Sequence, residues 1–250
     1  MKAVKDLEQE GLTVKFHLLD IDDPKSVAAL ATFVKEKYGG IDVLVNNAGT
    51  MAATTEPFGV QAKVNVTTNY FGVQDCCNQL FPLLRSGARV VNLSSMMGFL
   101  GLIQDPDLKA KFASSGSTLT TEDLDALMKD FVDSANAGDH ATKGWPNVEG
   151  FPNSTYVVSK IGLSALTRIQ QQKISEDPNM EDVVVNHVHP GFVDTDMTAH
   201  TGIMTIDEGA KSPLFAATLP PNTDTKGQFI WGAECEIVDW VNGPCPGNFP

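Results

Sequence analysis

No run of apolar residues approaches the ~18 needed to cross a bilayer as a helix, and the first residues lack the apolar core of a signal peptide. Basic charge is scarce. Eighteen Lys and Arg stand against 31 Asp and Glu, a net charge of −13. No basic stripe is available to neutralise phosphates, which argues against a nucleic-acid or anionic-membrane partner. A phosphorylated cofactor needs only a local cluster of donors and is not excluded. Cysteine is also sparse: Cys76, Cys77, Cys235 and Cys245 include no Cys-x-x-Cys pair. Neither a zinc site nor a disulfide framework is indicated, and the thiols read as the reduced cysteines of a cytoplasmic protein. His187 and His189 sit two apart at a strand end without further converging ligands, so no metal is assigned. The sequons at Asn65, Asn92 and Asn153 read as chance matches in the absence of a secretory signal.

The 250 residues, 42% apolar and 20% charged, suit one α/β domain with a sizeable core. Helical and strand patterns alternate, which predicts parallel βαβ units. Ala3 to Glu10 reads as the end of an amphipathic helix stopped by Gly11, and Thr13 to Ile21 as a strand. Asp22-Asp23-Pro24 opens a helix to about Tyr38, with Val27, Leu30, Phe33 and Val34 on its buried face. Ile41 to Asn46 reads as a short strand buried on both faces, and Val60 to Leu84 as helix broken near Pro82. Arg89 to Ser94 and Val183 to His187 are predicted strands, with a last one around Phe229 to Trp231. Between Ser95 and Tyr156 lies a long interval in which Thr120-Thr121-Glu122-Asp123 caps a helix bearing Leu124, Leu127, Met128, Phe131 and Val132. From Asn242 the chain is Pro- and Gly-rich and reads as a loose tail.

Tyr156 and Lys160 stand four apart, one helical turn, so their side chains share a face. An ammonium one turn from a phenol favours the phenolate and suits proton transfer. By itself the pair is a weak signal, since most such pairs are solvated helix faces. Here it accompanies Asn46-Asn47-Ala48-Gly49 directly after a strand, Asn69 in Thr68-Asn69-Tyr70-Phe71-Gly72, Ser94-Ser95 at a strand end, and Pro190-Gly191 downstream. In that order these features resemble the short-chain dehydrogenase/reductase family, from about residue 3 to about 240. The stretch after Gly98, with Gly144-Trp145-Pro146 ahead of the tyrosine, is most similar to the carbonyl reductase branch.

The resemblance implies a Rossmann-like, doubly wound parallel sheet spanning residues 1–241, with a helical insertion at 98–155 and a tail at 242–250. It also implies a Thr-Gly-x-x-x-Gly-x-Gly turn after the first strand, and no such sequence occurs. The sheet is accordingly expected to be N-terminally truncated, without the first strand, its helix and the second strand, about 40 residues at usual lengths. Two explanations stand. The residues belong to a longer enzyme, or they form a short version that binds cofactor poorly. The implied activity is NADPH-dependent reduction of aldehydes, ketones and quinones to alcohols by a cytoplasmic monomer. NADP(H) is inferred from the branch and not from any residue present. Tyr156 would be the general acid, Lys160 would lower its pKa and bind the nicotinamide ribose, Ser95 would stabilise the substrate oxygen, and Asn69 would hold a relay water. Asp20, Ile21, Asn46, Val193 and Thr195 would contact the cofactor together with Tyr156 and Lys160. Met96, Met97 and Trp231 are candidates for the substrate pocket beside Ser95, with core packing the plainer reading of each. The competing function is a non-catalytic short-chain fold acting as a binding or interaction protein.

Overall fold

A sheet of five strands organises the chain. The computed structural model describes residues 2–148 and 153–246. The strands are β1 (Ile41–Asn46), β2 (Leu84–Leu93), β3 (Val184–His189), β4 (Phe229–Trp231) and β5 (Glu236–Val238), hydrogen-bonded in that order. The first four are parallel, and β5 returns antiparallel along β4. Register sets Asn46, Asn92, His187 and Phe229 side by side across the sheet. All four parallel strands therefore end at one edge, where ligands bind in open α/β sheets.

Alternation along the strands divides the core in two. On one face Val90 and Val185 pack with Ile174 of helix α7 (Ser154–Glu176), and Asn92 donates to Thr167 and Gln170 of the same helix. On the other, Val91, Leu93, Val188 and Ile230 pack on Ala216 of α9 (Lys211–Ala217). Helices α2 (Pro24–Tyr38) and α4 (Val73–Leu80) join the α7 face through Val27, Val73 and Cys76. Local chemistry sets the helix ends. Asp23 accepts the Lys25 N–H ahead of Pro24, and Gly39 closes α2 at φ +74°.

The interval before α7 holds α5 (Pro106–Ala113) and α6 (Thr121–Ala137), the latter opened by a reciprocal Thr120–Asp123 cap. Leu124, Met128 and Phe131 are fully buried, and Phe131 meets Trp145 at 5.1 Å between ring centroids. Helix α6 packs on α3 (Phe58–Val66) so closely that a Cβ on Gly59 would collide with Asn136. Its Asp125 accepts from Tyr70 Oη at 2.7 Å and Gln74 Nε2 at 2.8 Å.

Several expectations are corrected. Thr13 to Ile21 is not a strand: among the described residues no strand lies beside it, and Leu12, Phe16, Leu18 and Leu19 stay exposed. On α2 only Val27 is fully buried, while Leu30, Phe33 and Val34 are partly covered, Leu30 against the main core. Strand β1 is not buried on both faces: Leu44 packs inward, but Val43 and Val45 are 47% and 43% exposed. Val60 to Leu84 is helical as expected and breaks into a tighter turn at Pro82, with two differences. The α-helical path widens into a π-turn at Thr67–Gly72 between α3 and α4, and Leu84 already belongs to β2. Strand β5 has no counterpart in the sequence reading. Of the tail, residues 247–250 lie outside the described residues, as do 149–152 of the proposed insertion. Asn65 and Asn92, two of the sequons, are core residues.

An uncovered apolar strand at a sheet edge favours self-association. Val45→Lys is expected to lower light scattering of concentrated protein while changing stability by less than about 0.5 kcal/mol, as read from denaturant melts.

Candidate active site

The first turns of α7 carry the phenol and the ammonium. Asn153 caps the helix by accepting the Thr155 N–H at 3.0 Å. One turn on, Tyr156 and Lys160 face the carboxyl end of β2, both nearly buried. Lys160 Nζ donates to the Leu93 carbonyl at 2.8 Å and stands 5.6 Å from the Tyr156 ring centroid. Ser95, extended just past β2, accepts the Met97 N–H through its hydroxyl at 3.1 Å and hydrogen-bonds the Tyr156 phenol.

Burial dominates the electrostatics. It pushes the Tyr156 phenol up to about 12, and the hydrogen bond with Ser95 pulls only partly against it. It pulls the Lys160 ammonium down to about 8. The sequence predicts that Lys160 depresses Tyr156. In the structure the ammonium turns to the Leu93 carbonyl, and desolvation of the phenolate outweighs it.

Asn69 lies at the centre of the π-turn, fully buried. Its Oδ1 accepts the Thr50 N–H at 2.8 Å, and its Nδ2 donates to the Thr50 carbonyl at 2.8 Å and to Ser159 Oγ at 3.0 Å. Ser159 in turn donates to the Tyr156 carbonyl. The loop after β1 is thereby locked to the catalytic end of α7. A single-turn π distortion at such a point re-aims a side chain without breaking the helix. Gly49 completes the approach: a Cβ there would come 3.1 Å from Asn69 Oδ1 and 3.4 Å from Lys160 Nζ.

Ser94 and Ser95 divide in role. Ser94 is buried, shares a 2.7 Å hydrogen bond with Ser164 and reaches the Lys160 carbonyl at 3.3 Å. Gly98 packs against the same carbonyl, where a Cβ would approach to 2.8 Å. Ser94 therefore ties β2 to α7, and Ser95 is left at the opening beside Tyr156.

The remaining predicted residues are spread around this centre. Asn46 Nδ2 donates to Asn92 Oδ1 at 2.8 Å and Cys77 Sγ at 3.3 Å, so that end of the side chain braces the sheet. Asp20 Oδ1 accepts the Asp22 N–H in a local turn, and Ile21 is buried with its carbonyl close against Gly72 of the π-turn. Val193 and Thr195 lie in the loop after β3, where Val193 bridges to Met204 and Thr195 takes a Thr198 cap. Met97 is a core residue, while Met96 and Trp231 are half-buried. Trp231 meets His189 at 4.6 Å between ring centroids with the planes tilted by 59°, and burial drops the His189 pKa to about 4. His187, stacked on Phe229 at 4.7 Å, is held well below the ordinary imidazole range by burial and Arg168. Among the described residues no three His, Cys, Asp or Glu converge as metal ligands. The sequence reading missed Ser159, Thr50 and the Leu93 carbonyl. A serine beside Lys160 was its only signal for any of them.

A phenol, an ammonium and a hydroxyl at the strand ends of a parallel sheet define an oxidoreductase-type site for proton transfer beside a nucleotide. The chain belongs to the short-chain dehydrogenase/reductase family. The family model described as short chain dehydrogenase matches residues 1–121. The chain is 41% identical to carbonyl reductase (NADPH) 1 of Rattus norvegicus over 239 residues, 94% of this chain and 83% of the relative. It is 42% identical to the Homo sapiens protein of the same name over 242 residues, 95% and 84% of the two chains. Among solved structures it is similar to salutaridine reductase from Papaver somniferum, with a TM-score of 0.80 and 27% identity over 91% of this chain and 86% of that one. It is also similar to menthone neomenthol reductase from Mentha piperita, with a TM-score of 0.71 and 30% identity over 92% and 84%.

The two serines are separable by stability. Ser94→Ala should cost about 1–3 kcal/mol, because buried partners lose their hydrogen bond. Ser95→Ala, which removes a cap on a short turn and a partner of the phenol, should cost less, about 0.5–2 kcal/mol in urea unfolding.

Proposed function

We propose that this chain is an NADPH-dependent reductase of small carbonyl compounds, with Tyr156 as general acid. The observation that carries the reading is the convergence of Ser95, Tyr156 and Lys160 at the end of β2, with Asn69 fixing the backbone behind them. Relatives above 40% identity named as NADPH carbonyl reductases support both cofactor and chemistry. Lys160 has three N–H donors, one of them on Leu93, and Gly49 leaves room beside it for a ribose hydroxyl. These donors fit the nicotinamide end of the cofactor. NADPH, when bound, supplies the hydride.

Ser95 donates to the substrate carbonyl oxygen and stabilises charge as it develops there. Tyr156 gives its phenolic proton to the same oxygen. A phenol titrating near 12 stays protonated at any working pH and is a competent donor only beside that developing alkoxide. Lys160 holds the ribose and restores the proton, and Asn69 anchors the relay that reaches it. Asp20 and Ile21 serve the adenine end, Asn46 the central crossing, and Val193 and Thr195 the carboxamide. Met96 and Trp231 rim an apolar pocket for aldehydes, ketones and quinones, with Met97 packed behind them.

Residues 1–241 act as one reductase domain. Helix α6, lying over α3 and α7, covers a helix face on which copies could otherwise associate, in keeping with a monomer. A cytoplasmic setting is part of the same reading; within it Cys76 and Cys77 are inert core thiols, raised to about 11 and 12 by burial. The competing reading is a non-catalytic short-chain fold with a binding role.

Fluorescence titration with NADPH, with NADH as control, separates the two. Saturable NADPH binding supports the reductase, and its absence from folded protein supports the binding role. Tyr156→Phe should lower turnover about 10²- to 10⁴-fold and leave NADPH affinity unchanged. Lys160 is charged below its lowered pKa and neutral above it. Reduction should therefore be flat at lower pH and fall as pH rises through about 8, with no limb from Tyr156 before about 12. A pH profile of kcat/KM with a soluble quinone reads both.

A further inference from the structure

The loop that follows β3 is held together by one imidazole. His200 Nδ1 stands 2.7 Å from Asp194 Oδ1, and Nε2 stands 3.0 Å from Asp196 Oδ1. A neutral imidazole has a single N–H, and ionised carboxylates only accept. Both contacts together therefore require the imidazolium. The two aspartates flank Thr195, whose carbonyl accepts the His200 N–H at 3.0 Å. Thr198 Oγ1 closes the same turn onto the Val193 carbonyl at 2.7 Å and accepts the Thr195 N–H at 3.1 Å. The turn is reached through Ala199 and His200, both left-handed at φ 49° and 57° without being glycine. Such a conformation persists where neighbouring contacts impose it. From the far side, Asp194 N–H donates to the Met204 carbonyl at 2.9 Å.

We propose that His200 is a positioning residue for the cofactor: as an imidazolium bridging Asp194 and Asp196, it fixes the turn that presents Val193 and Thr195 to the nicotinamide carboxamide. The proposal rests on the NADPH reading above. Its consequence is a pH-dependent affinity. Deprotonation leaves one N–H for two carboxylates, one of them lets go, and the turn loosens on that side of Thr195.

The charged groups acting on the ring are Asp194 and Asp196, and their hydrogen bonds raise its pKa above the ordinary imidazole value. Glu208, on the following helix α8 (Ile206–Gly209), is engaged elsewhere: it accepts the Thr205 N–H and hydroxyl at 2.8 and 2.9 Å and is influenced by Lys211. With a raised folded-state pKa, the contribution is complete below the ordinary value and is lost as pH rises through the raised one. The ring is 66% exposed, so the effect is that of a solvated ion pair, about two- to fivefold in affinity, and salt should diminish it.

The test uses the full chain and three proteins: the parent, His200→Asn and His200→Arg. Asparagine tolerates the left-handed backbone but makes one contact at most. Arginine can bridge both carboxylates without titrating. NADPH dissociation constants would be measured between pH 6 and 9, along with exchange protection of the His200 and Asp194 amides relative to their intrinsic rates. In the parent, affinity and protection should both fall two- to fivefold as His200 loses its proton. His200→Asn should be weak throughout, and His200→Arg should restore tight binding, so that the ratio of its affinity to that of His200→Asn stays constant with pH and its loop protection does not titrate. Loss of charge at Lys160 is common to all three and cancels in their ratios. Equal affinities and equal protection in the parent and His200→Asn at every pH would overturn the proposal. Parent-like protection that titrates while no protein binds NADPH at any pH would overturn the cofactor reading, and with it the role assigned to His200. Protection that does not titrate, with NADPH bound normally, would overturn the His200 role alone.

Discussion

Everything at the site depends on the grip of Asn69 on the Thr50 backbone. One side chain accepts the N–H and donates to the carbonyl of Thr50, spanning its two flanking peptides, and still donates to Ser159, one residue before Lys160. Three segments distant in sequence, the loop after β1, the π-turn and the start of α7, are joined by an amide that is fully buried. A buried amide left without partners is costly, so the network is stable only when all three segments are in place. The π-turn is what makes it possible. A regular α-helix through residues 67–72 would carry Asn69 to a different azimuth.

Around that anchor, desolvation and charge compete, and desolvation prevails. Tyr156 and Lys160 are one turn apart, yet each is moved toward its neutral form by burial. The phenol is kept as a protonated donor. The ammonium becomes the group that titrates in the working range. In the reaction proposed above, in which the tyrosine delivers the proton, such a site takes its pH dependence from the lysine.

The two ends of the sheet differ in how they are finished. At β5 an antiparallel turn and Trp240, whose Nε1 donates to the Gly98 carbonyl at 2.7 Å, close the core beside the site. At β1 the outer edge has no partner among the described residues, and the segment 12–20 exposes Leu12, Phe16 and Leu18. The helical interval before α7 offsets this on the opposite flank. There α6 contributes Leu124, Met128 and Phe131 to the main core and anchors Tyr70 through Asp125.

The sequence by itself determined the parallel strands β2 to β4, helices α2, α6 and α7, and the shared helix face of Tyr156 and Lys160. These rest on local signals: β-branched runs, the Asp23-Pro24 and Thr120-Asp123 caps, and a one-turn spacing whose geometry is fixed by the helix, whereas Asn69 and Ser95 join the pair only through the family resemblance. Tertiary structure decided the rest, because each remaining feature depends on a partner far along the chain. Residues 13–21 have a strand's composition but no neighbouring strand. The resemblance singles out Ser95 of the Ser94-Ser95 pair, but only the fold shows what Ser94 does instead, held by Ser164 while Ser95 meets Tyr156. The π-turn at Asn69, the reversal of the expected Tyr156 shift and the clamp of His200 between two aspartates follow from burial and proximity, which no periodicity records.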